Sequence, residues 1–423
     1  MIPAHDPLER SLGLCFYAGD GPGIGGRLRA SPGDFVVEEC ETPPPLTGGP
    51  YLVCRLTKTN WEQSKAIRAV ASRLGISHRR ISYAGTKDRR AVTSQLVSLY
   101  NVGERAVRDV RIPDLTLEPV GQANRALALG DLAGNRFRLV VRDCDPGDLE
   151  PRCAAACEVV GTGIPNYVGL QRFGVVRPIT HLIGRLLASG DVEGAVAAYI
   201  GRSFATESEP VRTAREAFLA DRDPRAGLAR FPVPLRFERA MLHHLVSAPG
   251  DWAGAIRVLP PKLAAMLVSA YQSHLFNRVL SARIARGLRL DGVEPGDRLV
   301  FPDGRVDTVT GATLGQARLL LARGRAAVGI AMPGSEPFVE RGETDAVTRR
   351  LMEADGVDHR GLADAAALVG TPFSGAVRRI RLATDVSLAI DEDAVTLAFA
   401  LGPGQYATTV CREFMKTDPL RMV

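Results

Sequence analysis

Apolar and polar positions alternate near both ends of the chain and recur at helical spacing through its middle. Asp34-Phe35-Val36-Val37-Glu38-Glu39 and Tyr51-Leu52-Val53-Cys54-Arg55-Leu56 are rich in strand formers and bounded by Gly/Pro clusters, which predicts two strands. Pro43 to Pro50 reads as the loop between them. Asn60 then opens a predicted helix, with Gln63 at the capping-box position. Ile67, Val70, Ala71 and Leu74 fall at i, i+3, i+4, i+7, and Gly75 supplies the stop. Arg80 to Tyr83 and Thr93 to Tyr100 read as strands, so Ala84 to Val92 becomes the loop joining them. Asn135 to Val141 and Ala394 to Leu401 alternate in the same way.

Two further helices are clear. Pro178 to Ala188 starts at a proline, ends before Gly190, and puts Ile179, Leu182, Ile183 and Leu186 on one face. Pro261 to about Arg286 is the longest, with Leu263, Leu267, Tyr271, Leu275 and Val279 every four residues; Tyr271 and Phe276 read as core. Residues 1–26 end in Gly and Pro and are expected to be a loose lead-in. The stretch 192–376 mixes helical segments with turns and the strand-like Arg298-Leu299-Val300-Phe301. No repeat is visible. The pattern predicts a mixed α/β (α+β) chain, with strands at both ends and a helix-rich middle.

Length and composition narrow this picture. At 423 residues, a rule of about 150 residues per domain suggests two or three. The hydrophobic fraction of 45% is that of a chain folding on its own core. A net charge of +6 and a pI near 9.0 favour a polyanionic partner, since Lys and Arg that neutralise phosphates release counterions. A merely basic soluble surface is the alternative. The seven cysteines are odd in number and scattered, without a C-x-x-C pair, so neither a disulfide framework nor a zinc site assembles. No signal-peptide pattern and no apolar run of about 20 residues occurs, which points to a reduced, cytoplasmic protein without a membrane partner. His243 and His244 face different sides of a helix and lack the spacing of H-E-x-x-H, so no metal is expected. Gly21 to Gly26 is not placed as a dinucleotide fingerprint, and no phosphate-binding G-x-x-x-x-G-K-[ST] is present. No cofactor is implied.

The candidate chemistry lies in Arg79-Arg80-Ile81-Ser82-Tyr83-Ala84-Gly85-Thr86-Lys87-Asp88-Arg89-Arg90, where one carboxylate stands among five cationic side chains. Close cations favour the ionised acid. An ionised Asp is a poor general base at neutral pH but a competent nucleophile. The same cations suit phosphate groups, and Gly85 lets backbone approach a ligand. From these residues alone, a surface loop with local ion pairs is the favoured reading.

Ala84-Gly85-Thr86-Lys87-Asp88-Arg89-Arg90-Ala91-Val92-Thr93-Ser94-Gln95 resembles the signature of the TruD family of tRNA pseudouridine synthases. Further segments match in the family's order. They are Asp34 to Glu39 (D-F-x-V-x-E), Gly130 to Arg138 (with G-N-x-F), and Pro165-Asn166-Tyr167-Val168-Gly169-Leu170-Gln171-Arg172-Phe173-Gly174, followed by Tyr271 to Asn277 and Gly402 to Thr408. Together they span about residues 29–413. The resemblance implies isomerisation of uridine to pseudouridine in RNA, typically at position 13 of tRNA, without cofactor or metal. The bond at N1 breaks, the uracil turns in its pocket, and the bond re-forms at C5. The family's nucleophile maps onto Asp88, adding either to the ribose C1′ or to the base C6.

The resemblance also implies an architecture: a pseudouridine-synthase-like catalytic domain with a mixed, largely antiparallel sheet, built from residues 27–191 and 377–423. A second α+β domain, residues 192–376, is inserted between these segments. The cleft between the two is expected to be positive, with Asp88 at its floor. The expected partner is tRNA rather than DNA, and a monomer is compatible with the sequence.

The other matched residues each have a plainer alternative. Asn166 maps onto a signature asparagine beside the catalytic Asp, against a simple turn Asn after Pro165. Val168 departs from the family, which commonly has an aromatic there against the target base; stacking then falls to Tyr167 or Phe173. Arg172 and Lys87 are candidate phosphate contacts. Arg29 takes the place of a basic residue ahead of the D-F-x-V-x-E run, and Phe173 is alternatively a core aromatic. Glu38 and Glu39 are either edge-strand charges or partners of Lys87. Arg378, Arg379 and Arg381 either grip RNA or form a solvated basic face. Two rival functions use the same residues: a non-catalytic RNA-binding protein, favoured by Val168, and a hydrolase, which needs a second carboxylate or His that the sequence does not supply.

Overall fold

In the computed structural model, residues 1–422 are described. Two compact units emerge, one made of Gly19–Ile164 with Ala383–Val423 and the other of Met1–Ala18 with Pro165–Leu382.

The first unit is built on nine strands. In chain order these are β1 (Gly25–Arg27), β2 (Phe35–Glu41), β3 (Tyr51–Thr59), β4 (Ile81–Tyr83), β5 (Val92–Tyr100), β6 (Leu115–Ala123), β7 (Leu132–Cys144), β8 (Ser387–Asp391) and β9 (Ala394–Leu401). They lie in the order β8-β9-β7-β2-β5-β3-β6, with β1 added to β7 and β4 to β5. β2 and β5 run parallel; the remaining pairs are antiparallel. The alternation read from the sequence sets the buried face. In β3, Leu52, Cys54, Leu56 and Lys58 point the same way, because successive residues of a strand face opposite sides. The helix Gln63–Arg73 covers the apolar part of that face, laying Ala66, Ile67, Val70 and Ala71 on Leu52, Cys54, Leu56, Val97 and Leu99. Each buried Leu, Ile or Val among them contributes about 1.5–3 kcal/mol by leaving water.

The helix begins later than its pattern predicts. Asn60 adopts a left-handed φ of 58° and donates its N–H to the Ala91 carbonyl. Glu62 caps instead, accepting from the amides of Ser64 and Lys65. β6 and β8 have no counterpart in the sequence reading.

The second unit is helix-rich. The long helix Pro261–Ala285 packs against Thr180–Ala188, where a Cβ on Gly184 would collide with the Leu267 carbonyl. A four-stranded antiparallel sheet follows, ordered Val306–Thr308, Arg298–Val300, Ala327–Met332 and Ala376–Arg379. The first 18 residues are not a loose lead-in. Ile2–Pro3 pairs with Phe16–Tyr17, and Leu12 and Leu14 are buried. Ser281 on the long helix donates to the Gly13 carbonyl at 2.7 Å. Residues 165–191 also belong with this unit, away from the expected break at 191/192. Asn277 of the long helix brackets the Val168 peptide, accepting its N–H at 2.8 Å and donating to its carbonyl at 3.1 Å. No helix of the described residues is long and apolar enough to cross a membrane.

Candidate active site

β4 and β5 form a hairpin, so residues 84–91 are its loop, and nearly every step of that loop is tied down. The Ala84 carbonyl accepts from the Gly130 amide at 3.0 Å. Gly85 O accepts from Gln95 Nε2 at 3.1 Å. Lys87 Nζ donates to Glu39 Oε1 at 2.8 Å in a pair with both side chains buried, and Glu39 Oε2 accepts the Leu96 amide at 3.1 Å. Glu39 is therefore the partner of Lys87, and Gly85 lies where a Cβ would touch that pair. Lys58 Nζ donates to the Asp88 carbonyl at 2.8 Å, and Arg29 Nη1 to the Arg90 carbonyl at 3.2 Å.

What this frame leaves open is the Asp88 carboxylate. Its side chain is 47% exposed, and its Oδ2 accepts from Arg29 Nη2 at 2.6 Å. Arg29 itself is buried, with a left-handed φ of 57° and its guanidinium 3.6 Å from the centre of the Phe35 ring. A left-handed non-glycine residue is costly backbone that persists where its surroundings over-determine it. Here the stacked ring and two hydrogen bonds do so.

The five cations of residues 79–90 divide by role, Arg79 being exposed ahead of the hairpin. Arg80 is spent on the turn after β5, donating to the carbonyls of Tyr100 and Asn101. Lys87 is consumed by Glu39. Arg89 and Arg90 are exposed at the loop's end. Lys58 was missed by the sequence reading. It is almost fully buried, and its ammonium bridges the carbonyls of Trp61 and Asp88, both at 2.8 Å. Burial pulls its pKa down to about 8, against the opposing pull of the Asp88 and Glu62 carboxylates. The signal was present: in Leu52-x-Cys54-x-Leu56-x-Lys58 the lysine occupies the buried phase of the strand.

Beyond that lysine the same sheet face turns from apolar to polar. Cross-strand register aligns Lys58 with Thr93, Leu56 with Gln95, Val37 with Phe137, and Glu39 with Asn135. Thr93 Oγ1, Gln95 Oε1 and Asn135 Oδ1 are buried atoms without a protein partner. An unmet buried polar atom costs about 1–3 kcal/mol, so such a set is suited to a polar ligand. Phe137 is half-buried, stacked on Phe399 at 5.5 Å and set edge-on to Phe35 at 6.5 Å. A flat aromatic face and three free polar atoms thus share a sheet face with the loop's anchor Glu39. Their signal in the sequence was polar residues at buried phases of β5 and β7.

The remaining candidates belong to the other unit. Asn166 is buried and fully engaged: its amide nitrogen donates to Arg379 O at 2.8 Å, and its Oδ1 accepts from Arg378 Nη2 at 3.1 Å. Arg378 also lies over the Phe276 ring, and Arg379 donates to Phe301 O, so both have structural partners. Tyr167 and Phe173 are each 0% exposed. Tyr167 shares a 2.7 Å hydrogen bond with Ser281, and Phe173 meets His181 edge-on at 5.4 Å. Both rings, either of which was expected to stack on the base, are packed with no face open to solvent. Arg172 is half-buried and donates to Ser269 Oγ.

The profile of the tRNA pseudouridine synthase D (TruD) family matches residues 11–414. A protein of Methanococcoides burtonii described as probable tRNA pseudouridine synthase D is 38% identical over 98% of both chains. One of Natronomonas pharaonis with the same description is 40% identical, again over 98% of both. Among solved structures, a crystal structure from Methanosarcina mazei, titled as a tRNA pseudouridine synthase D (TruD), superposes with a TM-score of 0.82. It is 33% identical and covers 99% of each chain.

Proposed function

The chain belongs to the TruD family of tRNA pseudouridine synthases, and on that premise we propose that it isomerises uridine 13 of tRNA to pseudouridine with Asp88 as the nucleophile. The observation that carries the assignment is the half-exposed Asp88 carboxylate, held at one oxygen by Arg29 on a loop immobilised along its backbone. A nucleophile presented this way loses little freedom on attack.

The target uridine must leave its stack to be reached, at a cost of a few kcal/mol. Arg29 holds the Asp88 carboxylate in place through one of its oxygens. The carboxylate adds to C1′ or C6 as the N1–C1′ bond yields. The uracil then turns, C5 bonds to C1′, the bond to Asp88 breaks to release the carboxylate, the C5 proton is lost and N1 ends protonated, so the reaction is atom-neutral. Phe137 supplies the aromatic face that Val168 lacks. Thr93, Gln95 and Asn135 offer hydrogen-bonding atoms to the uracil edge, whose N3–H and carbonyls match them. Arg89 and Arg90 are proposed phosphate contacts beside Asp88, and Arg172 and Asn166 proposed RNA contacts of the helix-rich unit; Lys87 supports the Asp88 loop through Glu39.

Asp88→Asn preserves the loop's shape but removes the nucleophile. It is expected to leave no pseudouridine in tRNA, as mapped by mass spectrometry, while tRNA binding stays near the unmodified protein's affinity. Normal turnover by the variant would overturn the assignment. In tRNA from cells lacking the protein, position 13 is expected to remain uridine.

A further inference from the structure

We infer that Lys58 is a positioning residue for the reaction: its buried ammonium clamps the main chain of Asp88 and so sets where the catalytic carboxylate stands. The inference rests on the reading of Asp88 as nucleophile and adds a second requirement to it.

A buried lysine ordinarily meets a carboxylate, since removing an ammonium from water is expensive unless its charge is compensated. Lys58 instead spends two donors on main-chain carbonyls, those of Trp61 and Asp88. Those two carbonyls belong to different segments, the start of the helix-capping turn after β3 and the middle of the 84–91 loop. One rigidly held atom thereby links the loop to the sheet. Lys58 reaches this place because β3 runs antiparallel to β5, with Lys58 opposite Thr93, just past the end of the loop. Arg29 holds the carboxylate end of Asp88 and Lys58 its carbonyl end, so the residue is gripped at both ends by separate cations. Glu39 holds the preceding residue, Lys87, through its ammonium.

The groups whose charges reach Lys58 are Asp88 and Glu62, which favour its cation, and Lys87, which opposes it; burial, with Lys87 acting the same way, outweighs the two carboxylates. Protonation of Lys58 is thus linked to the charge state of the site it supports. Loss of the proton weakens both carbonyl contacts, since charge-assisted hydrogen bonds are roughly twice as strong as neutral ones.

Lys58→Met keeps the bulk and removes the donors. Displacing a reacting group by about 1 Å can cost on the order of 100-fold, so kcat on tRNA is expected to fall by about that factor with KM changed less than about threefold. Lys58→Gln, which keeps a neutral donor on a shorter arm, should recover part of this loss. The unsubstituted enzyme is expected to show a fall in kcat centred near pH 8 that both variants lack. A Met variant that folds and turns over like the unsubstituted protein overturns the inference. Should Met prevent folding, a Gln variant with unchanged kcat and an unchanged alkaline fall overturns it equally. Asp88→Asn assayed alongside separates the two claims: an active Asn variant removes the nucleophile, whereas an inactive Asn variant with a fully active Lys58→Met removes only the clamp.

Discussion

Two clusters of buried charge, one in each unit, differ in how they close. In the helix-rich unit Arg215 bridges Glu207 and Glu238 at 2.9 Å each, and Arg177 reaches Glu238 at 3.5 Å and Glu207 at 3.8 Å. Two guanidiniums face two carboxylates, all buried or nearly so, and the set is neutral. Burial, then the neighbouring Arg215, pulls Arg177 down to about 10, with the two glutamates opposing. Around Asp88, three cations (Arg29, Lys58 and Lys87) face two carboxylates, one of which is half exposed. The first cluster balances its own charge and ties helices together. The second keeps surplus positive charge behind an accessible anion, an arrangement suited to a nucleophile that must meet a polyanion.

Substitutions should separate the two clusters by what they damage. Glu238→Ala leaves buried arginines under-compensated and is expected to cost about 3–5 kcal/mol in urea denaturation. Turnover per folded molecule should be unchanged. If kcat fell with stability intact, the cluster would have a functional role that its closure denies. Arg29→Lys keeps the charge but loses the planar fork that stacks on Phe35 and spans Asp88 and Arg90. A drop in kcat of about 10–100-fold is expected, with little change in melting temperature. A smaller effect lies at Asp34, ahead of β2. Burial alone would raise its pKa, but hydrogen bonds from Arg142 and from the Ser31 amide and hydroxyl prevail and lower it. A carboxylate with a depressed folded pKa stabilises above its unfolded value of about 3.9 and loses that contribution as pH falls through the folded value. Asp34→Asn should therefore be less stable than the unsubstituted protein at neutral pH, and the gap should close below about pH 3.9 in acid titrations of unfolding.

Much of the fold was legible because alternation and helical spacing are strong where one face is buried. β2, β3, β5 and β9 and the long helix fall within a few residues of the sequence reading. β6 escaped because Pro119 and Gly121 interrupt its alternation; a bulge in its pairing with β3 absorbs the irregularity. Residues 1–18 escaped because glycine and proline read as slackness, whereas Gly13 is needed for close approach to the long helix. At the site, Asp88, Lys87 and Arg29 were visible through motif resemblance. Lys58 was not, because a lysine in a strand reads as solvent-facing unless its phase is followed. Tyr167 and Phe173 drew attention as aromatics within a signature, yet sequence cannot tell an aromatic that serves a ligand from one that fills a core. Phe137, with one partly open face, was the ring to follow.

The strand order of the Asp88 unit carries a consequence for how the protein is made. β8 and β9 come from residues 387–401 yet complete the sheet beside β7, whose residues are synthesised long before. Until those late residues leave the ribosome, the β9-facing edge of β7 has no native partner, and Phe137 lacks the Phe399 ring on which it stacks. Pairings of such large sequence separation form slowly, and unpaired edges attract foreign strands. The sheet of the Asp88 unit is thus completed only once residues 387–401 have been made.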